Sequence, residues 1–289
     1  MKLMFGIVVL LALGCGPSHA QAVAGPQGPE EGAIRRQFWL LPARNRTTMM
    51  RTRVFRPPGA GPFPLAVINH GTTQNELRRA ASGLPDYPVL TAWLVARGYV
   101  VAVPQRPGHG ETGGRYDETP GGCADADFAK AGRAAAAGIA AAIDGLMRQP
   151  FVRKSGMAVF GHSAGGWGAL ALAGQPMRAL AGVVAFAPGL GGRADDVAGR
   201  NCAPERLIAT AHDFGAKARA PVLWLSAEND SYFAPALSRR MAEAFRSAGG
   251  RAEYHLLPAI RGDGHDLIRA PEGPETWGPV VERFLKKVR

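Results

Sequence analysis

The 289-residue chain has only three cysteines, Cys15, Cys123 and Cys202, and none sits in a C-x-x-C pair or at the Cys/His spacing of a structural zinc. It has no H-E-x-x-H, which removes a helix-borne zinc hydrolase site, and no G-x-x-x-x-G-K-[ST], which removes a P-loop. The stretch "GLGGR" is not a dinucleotide fingerprint, which would need a strand before it and a suitably spaced acid after it. No cofactor and no metal is therefore expected. The net charge is +11, from 34 Lys and Arg against 23 Asp and Glu. The cations are scattered, many as isolated arginines such as Arg115, Arg148 and Arg178, and no long basic block interleaves with aromatics. That distribution argues against a nucleic-acid partner and for a basic solvated surface.

Membrane-spanning length is also missing. The apolar stretch Leu3–Leu13 is too short to cross a bilayer; behind Lys2 and ahead of Ser18-His19-Ala20 it reads as a secretory signal, residues 1–20, cleaved before Gln21. The alternative is a lipoprotein signal in which "ALGC" presents Cys15 for acylation, although Ala12 stands where such signals usually carry leucine. Either reading exports the protein to the periplasm or beyond, with no stable membrane insertion once the signal is removed. Residues 21–33, "QAVAGPQGPEEGA", are rich in Gly and Pro and read as a flexible leader to a domain spanning 34–289.

From there the chain alternates. Short Val-, Leu- and aromatic-rich runs ("RTRVF", "PLAVIN", "YVVAVP", "GMAVFG", "AGVVAFA", "PVLWLSA", "AEYHLLP") read as strands, most of them as buried strands of a parallel sheet. Helical stretches lie between them: "YPVLTAWLVARG", the alanine-rich segment 124–149, and "PETWGPVVERFLKKV". In the last, Trp277, Val280, Val281, Phe284, Leu285 and Val288 recur at helical spacing and form a core face. Alternation without an internal repeat predicts one α/β domain, a mostly parallel central sheet flanked by helices. Ligands of such sheets bind beyond the carboxyl ends of the strands.

Three residues fit that placement. In "VFGHSAGGWGAL", Ser163 follows a strand and stands between Gly161 and Gly165, a spacing that suits a sharp strand-to-helix turn presenting a nucleophile. A hydroxyl needs a base and the base an orienting carboxylate. Asp230 closes "PVLWLSAEND", and His265 lies in "LLPAIRGDGHD" after the last strand. Glu228 is the substitute acid. Asp263 and Asp266 shape the histidine loop or face solvent, and His162 packs beside the turn. His109 is a loop residue with a smaller chance of touching substrate. The developing oxyanion needs two backbone N–H donors, for which Ala164 and, in "AVINHGTTQN", Thr72 are the candidates. His70 and Gly71 support the same loop. Cys123 and Cys202 both follow strands on the side where the site should lie, and export predicts a disulfide between them; the alternative is two separate thiols.

Across roughly residues 50–289 the order of "NHGTT", "GHSAGGWGAL", "ENDSYFAP" and "DGHD" resembles the α/β-hydrolase superfamily, and within it the dienelactone-hydrolase-like branch. The resemblance implies an α/β-hydrolase fold and a small-molecule ester substrate cleaved through Ser163, His265 and Asp230. Dienelactone hydrolase proper uses a cysteine nucleophile, so Ser163 points to a serine esterase instead. "AENDSYFAP" also resembles secreted polyester hydrolases and cutinases, whose aromatic clamp would here be Gly189 unless Trp167 or Tyr232 supplies the ring. Two other readings remain. An amidase or peptidase of the same fold usually carries a propeller or large cap, for which the stretch before residue 50 is too short. A non-catalytic binding protein normally lacks one of the three triad residues, and all three are present.

Overall fold

A computed structural model describes residues 23–288; the signal expected at residues 1–20 and Cys15 lie outside them. Nine strands form one sheet: β1 (Gly25–Glu31), β2 (Arg36–Pro42), β3 (Met49–Phe55), β4 (Leu65–Asn69), β5 (Val100–Pro104), β6 (Met157–His162), β7 (Leu180–Phe186), β8 (Val222–Ala227) and β9 (Ala252–Leu257). Their order across the sheet is β1-β2-β3-β5-β4-β6-β7-β8-β9. The β1/β2, β2/β3 and β3/β5 pairs are antiparallel and the remaining five are parallel. All seven strands expected from the sequence are present.

The apolar runs read as parallel strands are buried along their whole length in β4, β5, β6 and β8, because helices cover both faces. Alternate side chains feed two cores. Val67, Val159, Val183 and Trp224 meet the helices α3 (Phe128–Leu146), α4 (Ala164–Leu172), α5 (Pro204–Lys217) and α6 (Pro235–Ser247). Ile68, Phe160, Val184 and Leu223 meet α2 (Pro88–Val95) and the C-terminal α8 (Gly278–Val288). Two short helices, α1 (Glu76–Ala80) and α7 (Gly273–Thr276), lie in connecting segments. The stripe read as a core face is one: Trp277, Val281, Phe284 and Leu285 are buried, and Val280 and Val288 pack at its edge. Among the described residues no helix is long and apolar enough to cross a membrane.

The leader needs correction. Gly25–Glu31 is not a free segment but strand β1, paired through Gly25↔Leu40, Pro26↔Trp39 and Gln27↔Phe38 with β2, itself unanticipated. Its composition misleads because it is an edge strand. An edge needs hydrogen bonds on one side only, so it tolerates Pro26 and Pro29, and Gly25 and Gly28 adopt positive φ (122° and 83°) where it departs from regular pairing. The domain therefore begins near residue 25, not 34.

Cys123 and Cys202 form a disulfide with 5.1 Å between Cα atoms and 79 residues of sequence separation. It joins the segment before α3 to the segment before α5. A loop of that length gives roughly 4 kcal/mol of chain-entropy stabilisation. Non-reducing peptide mapping of the protein purified under non-reducing conditions should therefore find the Cys123 and Cys202 peptides linked, and Cys123→Ser/Cys202→Ser should unfold with a stability loss of roughly that size. Free alkylation of both thiols before reduction would overturn the assignment.

Candidate active site

The site grows from the end of β6. Ser163 has φ 54° and ψ −121°, a conformation disfavoured for a residue with a side chain and one that costs about 1–3 kcal/mol. The surrounding structure holds it there. The Ser163 amide donates to the Phe186 carbonyl (3.0 Å), and its carbonyl accepts from Trp167 (2.9 Å) in the first turn of α4. The flanking glycines are there for contact. A Cβ on Gly161 would stand 2.4 Å from the Gly165 carbonyl oxygen, and one on Gly165 would stand 2.3 Å from the Asn69 oxygen and 2.5 Å from the His70 oxygen. The turn thus lies backbone against backbone on the end of β4. The loop leaving β4 reaches Ser163 itself, since a Cβ on Gly71 would come within 3.2 Å of the Ser163 Cβ. Among the described residues neither the Ala164 nor the Thr72 amide donates a hydrogen bond, which leaves both available beside this turn.

Asp230 and His265 meet across two loops. Nδ1 of His265 lies 3.2 Å from Oδ1 and 3.4 Å from Oδ2 of Asp230, and both side chains are buried. The carboxylate also accepts the amides of Tyr232 (2.8 Å) and Phe233 (2.9 Å), so its charge is stabilised before histidine is counted. The loops are fastened to each other on either side. Asn229 donates to the carbonyls of Ile260 and Gly262 (3.0 and 2.8 Å) and accepts from the Ile260 amide (3.1 Å). Asp263 accepts from the Ser231 amide (3.0 Å), the Ser231 hydroxyl (2.5 Å) and the His265 amide (3.0 Å). Partial burial works against the Asp263 charge, but these donors outweigh it and hold the carboxyl below the usual range. Asp263 therefore shapes the histidine loop, as its sequence position suggested. Glu228 is exposed and not bonded to His265, so the two candidate acids are distinguished by position.

Tyr232 was missed as a partner of the histidine. Its ring stacks on the His265 imidazole at 4.1 Å and 21°, and Phe233 closes on the ring at 5.6 Å. The signal was present as an aromatic pair directly after the acid. Trp167, the other ring considered as a substrate clamp, is wholly buried and donates to the Phe128 carbonyl.

Ser163, His265, Tyr232 and Thr72 line one cavity of about 330 Å³. Three further histidines surround it and all are buried. His70 takes its Nε2 proton acceptor role from the Arg106 amide (3.1 Å) and its Nδ1 lies 2.6 Å from the Gly71 carbonyl, so Nδ1 carries the hydrogen. The Arg106 guanidinium donates to the His70 carbonyl (2.8 Å) and pairs in fork geometry with Glu118 (2.6 and 2.8 Å). Both partners of that pair are almost fully buried, so the loop behind Thr72 is fixed by a charge pair out of reach of solvent screening. His109, expected as a plain loop residue, has Nε2 2.6 Å from the Thr72 hydroxyl, with Nδ1 facing the carbonyls of Arg106 and Pro107. It thus holds the residue whose amide is a candidate oxyanion donor. His162 faces the His265 carbonyl (2.8 Å) through Nε2 and packs beside the turn as anticipated; Asp266 lines the cavity mouth. Among the described residues no group of three or more His, Cys, Asp or Glu is arranged to hold a metal ion.

Residues 63–262 match the model of the dienelactone hydrolase family. The chain belongs to the dienelactone hydrolase family. Within this family it carries serine at the turn position. Over 76 residues it is 33% identical to a homoserine O-acetyltransferase of Geobacter sulfurreducens, a match covering 26% of this chain and 20% of that protein. The fold matches an esterase of Pyrococcus furiosus with a TM-score of 0.61 at 14% identity, over 92% of this chain and 99% of that one. It also matches a cold-adapted esterase from an Arctic intertidal metagenomic library, with a TM-score of 0.59 at 19% identity, over 91% and 99%. The fold is that of the α/β-hydrolases, as expected.

The buried histidines make stability depend on acid. Burial is the main cause that brings His109 down from 6.5 to about 4, Glu118 opposing it and Arg106 adding to it. Burial likewise pushes His70 and His162 well below the ordinary histidine range. Between about pH 6.5 and pH 4 the unfolded chain takes up protons that the folded chain refuses, so stability falls as pH drops through that window. His109 alone accounts for on the order of 3 kcal/mol, lost in full below its folded value. Urea unfolding across this window should show the loss, and His109→Gln should lessen it by the share of that histidine, leaving the share of His70 and His162. A loss unchanged in that variant would remove His109 from the explanation.

Proposed function

We propose that this chain is a secreted serine hydrolase that cleaves small carboxylic esters without a cofactor. Ser163 attacks the ester carbonyl, and His265 takes the hydroxyl proton on Nε2 and returns it to the departing alcohol. Asp230, held by two amides, keeps Nδ1 of His265 protonated and offsets the charge that the imidazole gains. The amides of Ala164 and Thr72 receive the oxyanion of the tetrahedral intermediate. Water then enters, gives its proton to His265 and cleaves the acyl-enzyme through the same groups.

The observation that carries this reading is the convergence of three separate strand ends. A strained serine turn and an imidazole meet at one cavity of about 330 Å³, and a doubly hydrogen-bonded carboxylate stands behind the imidazole at 3.2 Å. Family membership supports hydrolysis, and the esterase folds cited above are consistent with esters. The cavity wall is built largely from Thr, Ser, Gln, His and Arg side chains with Tyr232, and no Leu, Ile, Val, Met or Phe contributes to it. A wall of that chemistry favours short, polar acyl groups over long aliphatic ones.

An assay across acyl chain lengths, with the matching amides in parallel, should show ester turnover that declines with chain length. Ser163→Ala should lose activity by on the order of a thousandfold or more while melting like the parent. Asp230→Asn should be far more damaging than Glu228→Gln; the reverse ranking would move the acid to Glu228. Full activity in Ser163→Ala would end the proposal. Secretion is tested by N-terminal sequencing of the exported protein, with Gln21 expected first.

Tyr232 should act as a positioning residue through His265. Tyr232→Leu should lower kcat on the order of tenfold with KM little changed, and Tyr232→Phe should restore it, since the stacked face is kept. Equal activity in the Leu variant would show that the stack does not orient the base.

A further inference from the structure

A second concavity lies away from Ser163. It is a groove of about 1190 Å³ at the amino ends of β6, β7, β8 and β9, the opposite pole of the sheet from the candidate active site. β6 alone separates the two poles by roughly 20 Å. Four arginines, Arg153, Arg178, Arg219 and Arg251, line the groove, and each is exposed. Among the described residues none of the four makes an ion pair. The one carboxylate in the wall, Glu253, already pairs with Lys287 at 2.6 Å. Arginines without an ion pair occur elsewhere among the described residues, Arg133 and Arg148 included; what sets these four apart is that they line one concave space whose only described carboxylate is already paired.

Two of the four are also fixed. Arg153 donates Nε to the Ser155 carbonyl (3.2 Å) and lies over Gly156, where a Cβ would stand 2.5 Å from its Nη2. Gly156 also has φ 72°, so this position suits glycine twice over. Arg251 donates Nη2 to the Arg219 carbonyl at 2.7 Å, which ties the turn before β9 to the turn before β8. A guanidinium held by one backbone carbonyl keeps its remaining N–H groups for a ligand and loses less freedom on binding. Phe284 and Val222 are buried in the floor between them, and neither side chain carries an acceptor.

We propose that this groove binds a polyvalent oxyanion, several phosphate or sulfate groups on one scaffold, independently of the hydrolase reading. Planar guanidinium forks match tetrahedral oxyanions through paired, charge-assisted hydrogen bonds. Separated arginines around one groove select for several anionic groups at once, and a single phosphate should bind weakly. Such groups occur on soluble polyphosphorylated molecules and on anionic lipid headgroups. The concavity of the groove favours the soluble form, because a flat bilayer cannot follow it.

The test is binding of inorganic tripolyphosphate to the full-length protein, read by calorimetry and by the rise in melting temperature. Arg153→Ser/Arg251→Ser should weaken binding on the order of a hundredfold, about tenfold for each guanidinium removed. Arg133→Ser/Arg148→Ser, exposed arginines outside the groove, removes the same net charge and should change it less than about threefold. Ester turnover should be the same in all three proteins, which separates this outcome from the fate of the Ser163 proposal. An equal loss in both double variants would reduce the effect to net charge and overturn the site. So would binding to phosphatidylglycerol vesicles with none to tripolyphosphate. So would inorganic phosphate binding as tightly as tripolyphosphate.

Discussion

The backbone contact between the turn at Ser163 and the end of β4 is the constraint around which the rest of the site is arranged. Carbonyl oxygens of Asn69 and His70 occupy the space where a Cβ on residue 165 would be, and the carbonyl of Gly165 occupies that of residue 161. Two side chains are therefore absent so that two peptide planes can touch. Once they do, β4 and β6 lie side by side at Asn69↔Gly161, and the loop leaving β4 has no course except past the serine. Gly71 and Thr72 arrive beside Ser163 by that route. The buried Arg106–Glu118 pair holds the loop from behind through the His70 carbonyl, and His109 holds Thr72 from the side. Breaking either member of such a pair would strand a charge out of water, so this support is costly to perturb.

The acid and the base depend on a different device. Asp230 lies in the turn after β8, and His265 in a single 3-10 turn, Gly264–Asp266, within the loop after β9. Loops of that kind are mobile unless something else fixes them. Here Asn229 and Asp263 clasp the two turns on opposite sides of the Asp230–His265 contact, through five hydrogen bonds that neither catalytic candidate makes, and Asp263 also accepts the His265 amide. The stack of Tyr232 on His265 then limits rotation of the imidazole. The neighbouring His162 is kept neutral by burial, with His265 and Arg269 adding to the effect, so it brings no second positive charge against the base.

The fold was legible where local composition and final environment agree. The runs read as buried parallel strands have that environment, and the apolar stripe around Phe284 was a core face because helical spacing fixes which residues share a side. That Ser163, Asp230 and His265 would lie at one end of the sheet was legible because Ser163 directly follows β6 and the other two lie in the loops leaving β8 and β9. β1 was not, since an edge strand made of "GPQGPEE" has a turn's composition and is defined only by its partner β2. Arg106 and Glu118 were illegible for a related reason. Nothing local marks a charge that will be buried against another twelve residues away. Glu228 and Asp230 are both acids on one turn, and only the amides of Tyr232 and Phe233, a matter of backbone direction, separate them.

The segment after β7 connects these themes. Of the eight non-glycine residues described with positive φ, five lie in it: Ala187, Arg193, Asp195, Asp196 and Ala203. A backbone so far from its preferences does not hold its own shape, and each such residue works against order. Yet this segment supports the acid turn: Gly199 donates to the Ser231 carbonyl (2.7 Å), Arg193 to the Ser231 hydroxyl (2.8 Å) and Asn201 to the Tyr232 carbonyl (2.6 Å). The disulfide enters at Cys202, next to Asn201, and anchors the segment to the chain before α3. Its roughly 4 kcal/mol is comparable to the cost of a few left-handed residues. The covalent link thus makes an unfavourable loop dependable enough to hold Tyr232 against His265.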